Sequence, residues 1–398
     1  MTNPAIVVTK GKNAHLSRTS ARAQFCPDML GEIDWDFRDA DTSFSSHVYH
    51  PYPARFIPQI PGKIIEEMTA SGETVYDPFV GGGTTLLEAN TRGRNAIGND
   101  VSELAVLISR VKTTPIKPEN FISLGDLIHR IVNNLHKGII PKKPAILNLD
   151  HWFKEFVADE ISVIVDEIKK MSCVDLADFC RVALSSILVS VSNQDSDTRY
   201  TRVEKNIARG DTVKRFVNRL SAMRKIMLVE HKKISMGKSS CVLADTRTKI
   251  PFAENSADLV VTSPPYPNAY DYHLYHKHRF SWLGMDLLFL RKNEIGAHAD
   301  YSKKNGHSHD TFRADMVQCL TNISRVLKKN RHLAIVIGDS ILRGRKIKND
   351  DIIKDAADVT PLAFVVSFDR DINLRKKSFN PAIGNIKTEK IMVFQNLK

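Results

Sequence analysis

Hydrophobic and polar positions change their period twice along this chain. Between residues 62 and 114, "GKIIEEMTA" has the spacing of a helix, "TVYDPF" of a strand, "TTLLEANTR" of a helix, "NAIGND" of a strand and "SELAVLISRVK" of a helix. That alternation is a βαβ unit. From about 118 to 235 the period is helical and no convincing strand is predicted. Val213, Phe216, Val217, Leu220, Met223 and Met227 recur at helical spacing, with Lys214, Arg215, Arg219, Arg224 and Lys225 between them. Strand patterns return at "SCVLAD", "ADLVVTS", "HLAIVIGD", "LAFVVSF" and "KIMVFQ", with helical stretches such as "FRADMVQCLTNISRVLKK" among them. An α/β sheet is therefore expected to draw its strands from both ends of the chain. The expected organisation is a flexible basic arm over 1–30, a first sheet segment over 31–117, a helical insertion over 118–238 and a second sheet segment over 239–398.

Composition narrows the class. The 398 residues are 42% hydrophobic and 26% charged, ordinary for a globular protein with a full core. Lys and Arg outnumber Asp and Glu by 57 to 45, and the resulting +12 favours a polyanionic partner or solvated basic faces. Five cysteines, Cys26, Cys173, Cys180, Cys241 and Cys319, form no CxxC pair, so neither a zinc site nor a disulfide framework is expected. No secretory leader pattern and no run of 18 apolar residues occurs, and the expectation is a cytoplasmic protein away from membranes. The histidines His298, His307 and His309 lack helical ligand spacing, and no metal is expected.

The first chemical signal is "DPFVGGGTTLLEA". A strand ends at Asp77, Gly81 to Gly83 permit close approach of a ligand, and a helix opening at Thr84 offers unpaired N–H groups. A dinucleotide fingerprint would need another glycine where Leu86 stands, and a phosphate-binding Walker loop would need GK[ST]. What remains is Phe79-x-Gly81-x-Gly83 behind an acid. A second acid, Asp100, ends the next strand, where it could take both hydroxyls of a ribose. A tight turn with a surface aspartate is the plainer alternative. The second signal is "TSPPY" at 262–266, where a proline pair stiffens a strand exit in front of an aromatic ring.

With "HPYPARF" at 50–56, these stretches resemble the S-adenosylmethionine-dependent amino methyltransferases of DNA, which modify cytosine N4 or adenine N6. The likeness covers about 31–115 and 241–398. It implies a Rossmann-like methyltransferase fold: a mostly parallel seven-stranded sheet with a C-terminal antiparallel hairpin, here with an inserted helical lobe. It implies S-adenosylmethionine as cofactor, held by Asp77, Phe79, Gly81, Gly83, Thr84 and Asp100, with Tyr52 and Pro53 closing over its methionine end. Asp245 in "LADTR" stands where the family contacts the cofactor adenine, or it caps a strand end. Ser263, Pro264, Pro265 and Tyr266 become the catalytic loop. The Ser263 hydroxyl and the Pro264 carbonyl accept from the reacting amine, and the Tyr266 ring stacks on a flipped base. A serine before Pro-Pro-Tyr is the pattern most associated with cytosine N4, and an aspartate with adenine N6. Methylation at cytosine carbon-5 would need a thiolate, and no cysteine lies near the loop.

The expected substrate is double-stranded DNA, with a cognate restriction endonuclease as a further partner. Adenine-N6 methylation of DNA, guanine-N2 methylation of RNA and a silent cofactor-binding DNA protein are the alternatives. Residues 199–233 hold 11 Lys or Arg against 3 acids, and Arg199, Arg202, Lys214 and Arg215 are expected at phosphates. "AYDYHLYHKHRF" at 269–280 interleaves aromatic and basic residues, offering Tyr270, His276 and Lys277 to DNA, or else packs Tyr272, Tyr275 and Phe280 as an amphipathic helix. "ILRGRKIK" adds Arg343 and Arg345. In the family's common arrangement a recognition region follows the strand of "LADTR", whereas here the long helical stretch precedes it.

Overall fold

The computed structural model describes residues 27–248, 250–303, 306–372 and 388–398. The part of the expected arm over 1–26 lies outside them, and Pro27–Gly31 is a short helix. All seven strand patterns form strands of one sheet: β1 (Thr74–Asp77), β2 (Asn95–Asp100), β5 (Ser239–Leu243), β6 (Ala257–Thr262), β7 (Leu327–Gly338), β10 (Leu362–Asp371) and β11 (Thr388–Asn396). Two small hairpins stand apart from it, β3 (Gln194–Ser196) with β4 (Arg199–Arg202) and β8 (Ser340–Leu342) with β9 (Arg345–Ile347).

The sheet order is β10-β11-β7-β6-β1-β2-β5. Neighbours from β7 to β5 pair parallel, and β11 runs antiparallel to both β7 and β10. This is the Rossmann-like, mostly parallel seven-stranded sheet with a C-terminal antiparallel hairpin that was expected. Strand β6, buried at every position, reads as the continuous apolar run that a strand covered on both faces requires. Successive strands leave β1 in opposite directions, so a crevice opens beyond the carboxyl ends of β1 and β6, where open α/β sheets bind ligands.

The middle third departs from the purely helical expectation by the β3–β4 hairpin. Its strands span three and four residues, too short to leave a period-2 signal. Otherwise it is helical, with Ser123–His136, Glu155–Lys169, Val174–Ile187 and Asp211–Ile234 as its long members. The last of these buries Phe216, Leu220, Met223 and Met227 and turns Lys214, Arg215, Arg224 and Lys225 to solvent. These helices share one continuous apolar core with Glu103–Thr113 and the sheet. Segment 45–50 is wedged between the two parts. Buried His47 bonds Glu88 of the helix Thr84–Thr91 at 2.6 Å, and buried His50 bonds Ser185 of the lobe at 2.9 Å. That clamp fixes where Tyr52 emerges.

Candidate active site

One cavity of about 390 Å³ runs across the carboxyl ends of the strands. Three loops build it. In the first, Gly83 adopts a left-handed φ of 73° and caps the helix Thr84–Thr91, aiming that helix's free N–H groups at the crevice. The buried Asp77 accepts from the Phe79 N–H at 3.0 Å and from the Thr262 hydroxyl at 2.7 Å, tying this loop to the end of β6. Asp100 accepts from the Gly81 N–H at 2.9 Å through one oxygen and from the Ser102 N–H at 2.9 Å through the other. Burial lifts both carboxyls to about 6, and the hydrogen bonds they accept pull the other way. Beneath the loop the buried Lys112 Nζ donates to the Gly82 carbonyl at 2.5 Å, and burial drives its pKa well below the ordinary lysine value.

The second loop is "HPYPARF". Tyr52 lies over the glycine turn. A Cβ on Gly81 would stand 3.4 Å from the Tyr52 ring, so the missing side chain keeps a slot open between turn and ring. Tyr52 is in turn stacked on Tyr272, with ring centroids 5.8 Å apart, and tilted against His276 at 5.0 Å.

The third loop is Ser263 to Tyr266. The Tyr266 hydroxyl donates to Glu389 Oε1 at 3.2 Å, which fixes the ring's azimuth, and burial raises its pKa well above the ordinary phenol. The loop's continuation is pinned on both sides: Asn268 donates to the Ile341 carbonyl at the base of the β8–β9 hairpin, and the Ala299 N–H donates to Asp271. His273 Nδ1 meets Glu294, whose carboxyl is raised by burial.

Tyr52, Pro53, Phe79, Gly81, Thr84, Asp100, Asp245, Ser263, Pro264, Pro265, Tyr266 and Tyr270 all line this one cavity. Asp77 and Gly83 do not. Asp77 sits under the loops and orients them. A Cβ on Gly83 would fall 2.8 Å from Ser109 Oγ and 2.9 Å from Ser109 Cα, so Gly83 admits the helix Glu103–Thr113 rather than a ligand. Asp245 lines the wall with its carboxylate shared: it accepts from the Arg247 N–H at 2.9 Å and pairs with the Arg247 guanidinium at 2.7 Å. Sequence reading missed Ser102, Tyr272, Glu294, Arg370 and Glu389, which also line the cavity. Of these only Tyr272 stands in a stretch singled out above, where it was expected to pack, and Arg370 and Glu389 meet because β10 and β11 pair.

Of the expected DNA contacts, His276 is corrected. It is fully buried, between the Tyr52 ring and the Arg279 guanidinium, and cannot reach a phosphate. Phe280 and Arg279 are buried with it, but the stretch forms two short helices, Tyr272–Tyr275 and Lys277–Leu283, and the amphipathic alternative holds only for Phe280: Tyr272 and Tyr275 are half-buried, and Tyr270 and Tyr272 line the cavity. Arg199 and Arg202 are exposed on the β3–β4 hairpin, which leans on Tyr275 through Gln194. Lys277 lies 5.5 Å from the Tyr200 ring centroid of the same hairpin. Arg215 reaches the Ser190 carbonyl close by, with Lys214 exposed beside it. Arg343 and Arg345 are exposed on the other hairpin, although Arg343 also donates to the carbonyls of Lys303, Gly306 and His307.

The cavity fits S-adenosylmethionine. Asp100 keeps spare lone pairs for ribose hydroxyls beyond the backbone bonds it accepts, and the missing side chain of Gly81 leaves room beneath the Tyr52 ring.

Residues 18–110 match the family described as DNA methylase of the N6/N4 type. The chain is 30% identical over 250 residues to the type II methyltransferase M.MvaI of Kocuria varians, covering 58% of this chain and 55% of that one. It is 24% identical over 303 residues to the type II methyltransferase M.BsoBI of Geobacillus stearothermophilus, covering 64% and 55%. The chain thus spans about half the length of these curated relatives. A putative DNA modification methylase of Thermus thermophilus, TTHA0409, solved with S-adenosylmethionine, superposes over 39% of this chain and 54% of that one, with 19% identity and a TM-score of 0.25.

Proposed function

We propose that this chain, a member of the amino-methyltransferase family, methylates the exocyclic N4 amine of cytosine in double-stranded DNA, acting on a base flipped out of the helix. The observation that carries this reading is the meeting of the Ser263-Pro-Pro-Tyr266 loop with the glycine turn in one cavity, tied together by Thr262 and Asp77. The bound cofactor supplies an electrophilic methyl group on a positively charged sulfur. The protein's own task is to make a poor nucleophile better. The amine's lone pair is delocalised into the ring, and acceptors aimed at its two protons favour the pyramidal form in which that pair is available. The Ser263 hydroxyl and the Pro264 carbonyl are those acceptors, held in direction by the two prolines. Tyr266 stacks on the flipped base, and its bond to Glu389 keeps the ring from rotating away.

Asp100 takes the cofactor's ribose hydroxyls, Gly81 and Thr84 approach its backbone-like portion, Asp245 borders its adenine, and Tyr52 with Pro53 covers its methionine end. Arg199, Arg202, Lys214, Arg215 and Lys277 support DNA on one side of the cavity, and Arg343 and Arg345 on the other. Both hairpins are anchored to the chain that leaves the catalytic loop, which supports their role at the phosphates. A cognate restriction endonuclease recognising the same site belongs to the same proposal.

The test is to incubate the protein with labelled cofactor and duplex DNA, digest to nucleosides and identify the labelled base. N4-methylcytosine is expected. Label confined to N6-methyladenine overturns the base assignment, and label accepted by RNA alone overturns the substrate.

A further inference from the structure

The wall of the cavity beyond Tyr266 contains a pair of charges that the cofactor does not need. Arg370 on β10 and Glu389 on β11 are cross-strand partners, with Nη1 to Oε2 at 2.6 Å. The other oxygen of Glu389 accepts from Tyr266, and Arg370 Nε donates to the Trp35 carbonyl at 3.2 Å. Arg370 is 5% exposed, and what it exposes borders the cavity, as do Glu389 and the catalytic loop. Its Nη2 takes no hydrogen bond or ion pair among the described residues. Two of the three guanidinium nitrogens are thus held by Glu389 and Trp35, and the plane of the group is fixed at the cavity wall, where a bound molecule can meet it.

We propose that Arg370, oriented by Glu389 and Trp35, reads the edge of the flipped base and makes the site selective for cytosine. This rests on the reading of Ser263 to Tyr266 as the loop that holds the amine. On that reading, with the amine at Ser263 and the ring stacked on Tyr266, the edge that continues from the amine faces Glu389 and Arg370, which stand beside the Tyr266 hydroxyl. In cytosine the atoms of that edge are N3 and O2, two acceptors in a row, which suit guanidinium N–H groups. In adenine they are N1 and a C–H, which would leave one donor buried and unsatisfied. A site built to hydrogen-bond one edge rejects the analogue that lacks it far better than a merely apolar pocket does. Glu389 is a positioning residue: it fixes the guanidinium plane and the tyrosine ring together.

The experiment compares duplexes carrying either cytosine or 3-deazacytosine at a mapped target site. The analogue keeps the amine and O2 but replaces N3 by C–H. Wild-type kcat/KM is expected to fall by roughly 10²-fold on the analogue, as for loss of a buried hydrogen-bonding partner. Arg370→Met is expected to shrink that ratio to within about threefold, and to raise KM for the cytosine duplex by about 10- to 100-fold, the worth of one charged hydrogen bond. Cofactor affinity, measured by calorimetry, should stay unchanged, a readout that general unfolding would not spare. If Arg370→Met does not fold, Arg370→Lys keeps the charge pair with Glu389 but loses the planar fork, and the same narrowing of the ratio is expected. A folded Arg370 variant with the wild-type ratio and KM overturns this inference alone. Wild-type label in N6-methyladenine overturns the base reading first, before any variant is made.

Discussion

The ring of Tyr52 lies stacked on the ring of Tyr272, centroids 5.8 Å apart and planes within 20°. One ring belongs to the segment that covers the glycine turn, the other to the helix that follows the catalytic loop, so the two halves of the cavity are joined through this stack. Tyr52→Ala and Tyr272→Ala should each weaken cofactor binding, and the double variant should cost less than the sum. A coupling of about 0.5–1.5 kcal/mol, the usual worth of an aromatic pair, is expected from a calorimetric double-mutant cycle. Strict additivity would show that the stack does not carry the connection.

Gly83 and Gly81 should fail in different ways. At Gly83 a side chain meets the backbone of Ser109 at a left-handed φ, so Gly83→Val is expected to cost about 2–4 kcal/mol of stability, seen as a lower thermal midpoint. At Gly81 a methyl group enters the slot beneath Tyr52. Gly81→Ala should loosen cofactor binding more than it lowers the midpoint. A Gly83→Val protein of wild-type stability would contradict the packing described.

If Asp100 holds the ribose as proposed, the cofactor affinity should depend on pH with a defined sign. Burial raises its carboxyl to about 6, so the folded protein without cofactor holds a proton that the unfolded chain has already lost. On this group's account stability falls as pH rises from about 4 to about 6, because the unfolded state binds fewer protons there. Binding runs the other way, since only the ionised carboxylate accepts from both ribose hydroxyls. The affinity for S-adenosylmethionine is expected to rise about tenfold per pH unit below about 6 and to level off above it, following ionisation of a single group. Asp100→Asn should bind weakly and with a flat profile, measured by calorimetry across that range.

On the proposed function, variants of the Ser263–Tyr266 loop should separate turnover from capture. Ser263→Ala removes an acceptor at the reacting amine and should lower kcat by roughly 10²-fold, the usual loss for one group acting in a transition state. Tyr266→Phe keeps the ring and loses only the bond to Glu389, so its effect should be modest. Tyr266→Ala should raise KM for DNA by more than it lowers kcat. Single-turnover kinetics on a mapped duplex site distinguishes these outcomes.

For the basic face, replacing Arg199, Arg202, Lys214 and Arg215 by Gln should weaken DNA binding. The slope of log K against log salt should flatten by about 0.9 for each phosphate that is no longer neutralised. An unchanged slope in a filter-binding or fluorescence titration would place the phosphates elsewhere.

The fold was largely legible because its strands are separate apolar runs and its cofactor turn is contiguous. "DPFVGGGTT" and "TSPPY" are each contiguous, so local pattern was enough to mark the two loops that the fold brings to one cavity. Gly83 shows the limit: the motif marks the residue, but only the position of Ser109 on a neighbouring helix tells which side its bare Cα faces. His276 shows another, since an alternation of aromatic and basic residues reads alike on a solvent face and in a core. Arg370 and Glu389 were beyond local reading altogether. Their meeting is set by strand register, and neither type is rare enough on a strand to signal itself.

The sheet order has a consequence for the birth of the protein on the ribosome. β1 and β2 emerge early, but their outer partners, β6 and β5, lie beyond the whole helical lobe. Until those strands are made, a parallel two-stranded ribbon has both edges open, the kind of surface that pairs with other chains. The intervening helices are local structures that can form at once, and they pack on the helix Glu103–Thr113 that shields one face of the ribbon. The lobe therefore acts during synthesis as a guard for a half-built sheet. A pause or truncation before residue 239 should leave a nascent chain that depends on chaperones, while one released after the last strand, β11, should not.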